Sequence, residues 1–114
     1  ISFDKDGLME KADNDETLYA EFLEMSFTSS ANYVEALGRF IAELNFKEIH
    51  KISHSLKGLA FTFGFNRLAS IAAEIELNEE MDIDKITKIH GDMKVEIINI
   101  ENIIKNEEDN NSSV

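Results

Sequence analysis

The feature that most constrains the fold is a run of apolar residues at steps of three and four that no proline interrupts. Val34, Leu37, Phe40, Ile41 and Leu44 follow this spacing, and so do Ile86, Ile89, Met93, Ile97, Ile100 and Ile104. Such steps match the helical repeat of about 3.6 residues and line one face of a helix. With no proline and only five glycines in 114 residues, and no strand-like alternation, the chain reads as all-α.

Punctuation along the chain divides that pattern. A short helical piece around Leu8 and Met9 comes first. Asn14 or Asp15 then offers an N-cap for a helix carrying Leu18, Tyr19, Phe22 and Met25. Thr28, Ser29 and Ser30 are weak helix formers whose hydroxyls compete for backbone groups, which predicts a break there. A second helix runs to about Asn45. The next covers about 46–63, Gly64 supplies a left-handed closing residue, and Asn66 caps the helix carrying Leu68, Ile71, Ala72 and Ile75. An acidic loop from Glu79 to Asp82 leads to Asp84 as N-cap of the last helix. Short links force neighbouring helices antiparallel, giving an up-down-up-down four-helix bundle over residues 1–105, with an additional N-terminal helix covering one end. Residues 106–114 hold nothing to bury and read as a disordered C-terminal tail.

Composition removes several functions. The absence of cysteine excludes thiol chemistry and disulfides. A net charge of −12 argues against nucleic acid and against contact with an anionic membrane, both of which need a positive surface. No segment is apolar enough to span a bilayer, and a start at Ile1 without a signal-type segment reads as a domain of a larger protein. The charge is uneven, however. Between Phe46 and Leu68, Lys47, Lys51, Lys57 and Arg67 stand against Glu48 alone, a basic island suited to docking a localised anion.

At the centre of that island lies His54-Ser55-Leu56-Lys57-Gly58. On a helical wheel Ile52, Leu56, Leu59 and Phe63 share the core side, while His50, Lys57, Gly58, Phe61 and Lys47 gather around His54 on the other. His50 and His54 are four apart, as in zinc helices, but Lys51 occupies the place of the protease glutamate and the lysines repel a cation. Ser53 and Ser55 diverge from His54 by about 100° and cannot pair with it as in a hydrolase. His90, like His50, reads as an ordinary surface histidine. Gly58 costs a helix about 1 kcal/mol relative to alanine, which implies close approach by another molecule. Phe61 offers that molecule an apolar contact. Lys57, one turn from His54, can neutralise a phosphoryl group carried on the imidazole, whose neutral form is a competent nucleophile.

These residues resemble a known family. His54-Ser55-Leu56-Lys57-Gly58, then Gly64, Leu68 and Glu76, is similar to the signature of histidine-containing phosphotransfer domains, and Asp15-Glu16-Thr17-Leu18-Tyr19 with Phe22-Leu23 resembles their first helix. Thr62-Phe63-Gly64-Phe65 is also similar to the phosphoacceptor domain of chemotaxis-type kinases. The resemblance implies a helical bundle that is not a stand-alone enzyme. It implies His54 as the phosphorylated residue, Lys57 as phosphoryl partner and Gly58 as clearance; the helical face itself offers Lys47, His50, Lys51 and Phe61 as contacts to the partner, Phe61 being bulkier than the family's pattern. That partner would be a response-regulator receiver domain, a histidine kinase, or both. Mg²⁺ would sit on the receiver and no cofactor on this domain, which would be cytoplasmic and either a monomer or part of a sensor protein. A helical adaptor using the same face without phosphorylation is the alternative.

Overall fold

A computed structural model describes residues 2–112, which form five α-helices and no strand: α1 (Lys5–Lys11), α2 (Glu16–Ala42), α3 (Phe46–Thr62), α4 (Asn66–Glu76) and α5 (Ile83–Ser112). Helices α2 to α5 each pack on the next, and α5 closes the ring by packing on α2, while α1 lies against α2. With connections of only a few residues, this is the antiparallel four-helix bundle with an extra N-terminal helix that the spacing predicts. Leu37, Ile49, Leu56, Leu68, Ile75, Ile86, Met93 and Ile100 are fully buried along its axis. Each such side chain contributes about 1.5–3 kcal/mol of transfer free energy.

Local signals act as expected at some boundaries and not at others. The Asp15 carboxylate accepts from the Thr17 and Leu18 amides at 2.9 and 3.1 Å and starts α2. The break predicted at Thr28-Ser29-Ser30 is absent, and α2 is one helix of 27 residues. Ser26 and Ser30 are both buried, and Ser26 Oγ donates to the Leu23 carbonyl at 3.1 Å. Small side chains here face the interior, so packing holds the helix through a stretch of poor propensity. Asn45 caps α3 rather than merely ending α2, accepting from the Glu48 amide. Asp82, not Asp84, caps α5, accepting from the Asp84 and Lys85 amides. α4 starts without a side-chain cap: Asn66 is already its first residue, and the preceding position is the fully buried Phe65.

The turn between α3 and α4 anchors the N-terminal segment. Gly64 has φ +85°, and a Cβ there would stand 2.9 Å from the Asp4 carbonyl oxygen. Glycine is therefore required both for the left-handed turn and for close approach. The Asp4 amide donates to the Gly64 carbonyl at 2.8 Å, and Phe3 packs on Phe65 with ring centroids 5.6 Å apart.

The expected tail is corrected for residues 106–112, which continue α5; residues 113–114 lie outside the described residues. Glu107 receives Lys5 at 3.0 Å and the Tyr19 hydroxyl at 2.7 Å. Charged hydrogen bonds, not apolar burial, hold this end, so an apolar count passes over it. His90 is also no surface residue. It is half-buried, its Nε2–H donates to the Val34 carbonyl at 2.8 Å, and its ring fills the space left by Gly38.

Candidate functional site

Helix α3 is buried on the side of Ile49, Ser53, Leu56 and Ala60. That centre lies roughly 60° around the helix from the expected one. Ile52, Leu59 and Phe63 are half-buried at its edge, and Phe63 meets Phe22 of α2 edge-on. Because α3 is covered by both α2 and α4, its buried arc is wider than a single-face reading gives. The rotation brings the His54 side toward α4.

There, one carboxylate organises the site. Glu76, the last residue of α4, accepts from His54 Nδ1 at 2.6 Å through Oε1 and pairs with Lys57 Nζ at 2.5 Å through Oε2. The side chains grade from outside in, with His54 66% exposed, Lys57 38% and Glu76 18%. The Lys57 ammonium, and next the His54 imidazole, hold the Glu76 carboxyl below its ordinary value. An ionised carboxylate only accepts, so Nδ1 carries the proton of this contact, and in the neutral imidazole of that tautomer the lone pair is on Nε2. The arrangement is an outward-facing imidazole nucleophile of fixed tautomer, with an ammonium beside it.

Sequence spacing brings His54 and Lys57 together, as expected, but assigns no role to Glu76. The signal is register: Gly64 lies nearly midway between His54 and Glu76, so an antiparallel pair turning at Gly64 sets them side by side.

The remaining residues surround this group. A Cβ on Gly58 would meet nothing within 4 Å, so the helix surface is open there. Phe61 is 74% exposed. His50, Lys47 and Lys51 are exposed on α3, Lys51 lying 3.8 Å from Glu48. The basic island is largely paired within the fold. Lys57 is held by Glu76, and Arg67 turns away to Glu96 of α5, its Nε 3.7 Å from the carboxylate. Among the described residues no three His, Cys, Asp or Glu side chains converge to hold a metal ion, and no helix is long and apolar enough to cross a membrane.

The fold and site together are an all-helical bundle displaying a solvent-facing histidine paired with a carboxylate. Comparison with known families supplies the class: the family model of the Hpt domain matches residues 21–103. The chain belongs to the Hpt family, whose members are phosphocarrier modules of two-component signalling rather than enzymes in the ordinary sense. Comparisons with curated proteins and with solved structures returned no match.

Proposed function

We propose that His54 carries a phosphoryl group between signalling partners, receiving it from a receiver-domain aspartyl phosphate or a histidine kinase and passing it to a response-regulator aspartate. The observation that carries this reading is the fixed tautomer. Glu76 accepts at Nδ1 of a side chain that is 66% exposed, which leaves Nε2 as the nitrogen for the phosphoryl group. In the forward step Nε2 attacks phosphorus, an N–P bond forms, and the P–O bond to the donor breaks, leaving a carboxylate. The Nδ1 proton stays in place, so the substituted ring is a cation, and the Glu76 carboxylate against it balances that charge. Lys57 neutralises the phosphoryl oxygens, and the reverse step hands the group on.

The partner approaches over Gly58, where the backbone is bare, with Phe61 as apolar contact and Lys47, His50 and Lys51 at the edge. Mg²⁺ belongs to the receiver's own carboxylates, this domain supplies no cofactor, and its setting is the cytoplasm.

The test is incubation with a phosphorylated receiver or a histidine kinase. Label on this chain should be acid-labile and alkali-stable, and should vanish in His54→Gln. Label that persists in that variant overturns the assignment, and partner binding without any label on the native chain supports the adaptor instead. Lys57→Ala should slow transfer with the fold intact.

A further inference from the structure

The His54 site lies across α3 and α4. On the opposite side of the four-helix ring, α2 and α5 leave a groove of about 620 Å³ between them, within the size range of formed binding sites. Its floor is apolar: Met9, Leu23, Phe27 and Ile104. Its rim is acidic. Glu16, Glu24, Glu101, Glu107 and Glu108 stand against only Lys5 and Lys105. Those two cations are already engaged, Lys5 with Glu107 at 3.0 Å and Lys105 with Glu101 at 3.2 Å. Glu16 and Glu24 have no partner among the described residues.

We propose that this groove docks an amphipathic helix from a partner protein, with lysine or arginine flanking its apolar stripe. The α2 wall runs from Glu16 to Thr28, about 18 Å or three helical turns. A trough between two packed helices matches a third helix laid along it, read through side chains at i, i+3, i+4 and i+7. Charge decides the kind of helix. An acidic rim favours a basic flank and disfavours a second copy of this chain, which carries −12. Most of the lining, including Lys5, Met9, Tyr19, Ile104 and Glu107, lies outside the residues 21–103 that the family model matches. Its position lets such a partner stay bound while His54 exchanges phosphate.

The probe is a fluorescein-labelled peptide of about 14 residues, long enough for the groove, with leucine at i, i+3, i+4 and i+7 and lysine elsewhere. Its comparator has glutamate in place of lysine, and anisotropy is read on the intact chain. The lysine peptide should bind saturably and the glutamate peptide should not. Glu24→Lys combined with Glu101→Lys should weaken binding by at least about tenfold. Glu79→Lys with Glu80→Lys, the same change of net charge in the α4–α5 loop, should leave it unchanged, as should His54→Gln. If the first pair prevents folding, Glu24→Lys alone decides. Absence of saturable binding, equal binding of both peptides, or equal loss in both charge-reversed chains overturns the proposal.

Discussion

Gly58→Ala separates what the fold wants at this position from what a partner wants. Gly58 is in the interior of α3, where glycine costs about 1 kcal/mol relative to alanine through backbone entropy. The added Cβ meets nothing within 4 Å, so no packing gain or clash modifies that figure. The variant should therefore be more stable by about 1 kcal/mol. For a chain of this length the unfolding entropy converts that into a rise of about 4 °C in melting temperature, readable by circular dichroism. Gly64→Ala should do the reverse. Its φ of +85° and the Asp4 oxygen at 2.9 Å leave no room for a methyl group, and the loss should exceed about 1 kcal/mol. Gly58→Gln then probes function. It should keep the stability of a normal helix yet slow phosphotransfer by more than about tenfold, because small displacements of docked reactants are costly. A destabilised Gly58→Ala would show that the surface is not open. Wild-type transfer by Gly58→Gln would show that no partner comes close there.

Two further outcomes test the frame around the site. Glu76 has a folded-state pKa below its ordinary value of 4.5, so the folded chain binds that proton more weakly than the unfolded chain. Its stabilising effect is complete above that value and is lost as the pH falls through the lower, folded one. The difference in melting temperature between wild type and Glu76→Gln should therefore shrink as the pH falls below 4.5; a difference that stays constant into acid refutes the pairing. Phe65→Ala removes a fully buried ring that packs on Phe3. Urea denaturation should show a loss of about 3–5 kcal/mol, and a loss under about 1 kcal/mol would mean that the turn is not anchored by it.

The helical class, the order of elements and the histidine face were legible because each rests on local periodicity and on single residues with strong backbone preferences, such as Asp15 and Gly64. What failed to show depends on partners distant in sequence. Thr28-Ser29-Ser30 reads as a break until burial of Ser26 and Ser30 is known. The end of α5 reads as a tail because its anchor, Glu107, meets Lys5 and Tyr19 from the other end of the chain. His90 reads as exposed until Val34 and Gly38 are placed beside it. At the site, His54, Lys57 and Gly58 lie within two turns of one helix and could be read together. Glu76 acts across a helix pair, and its role emerges only with the register of α3 on α4.

That Glu76 is the last residue of α4 also sets the weakest point of the machinery. The turn that carries it is pinned by buried Ile75 on one side and ends in Leu77, a residue 78% exposed whose amide donates to the Ala73 carbonyl at 2.9 Å. Terminal turns open at a lower free energy than the whole domain. When this one unwinds, the imidazole loses its orienting acceptor and Lys57 its counterion while the bundle stays closed. On the proposed role of His54, competence to carry phosphate would rest on a few amides at a helix end, and hydrogen exchange at Leu77 and Asn78 would report their opening before any global melting does.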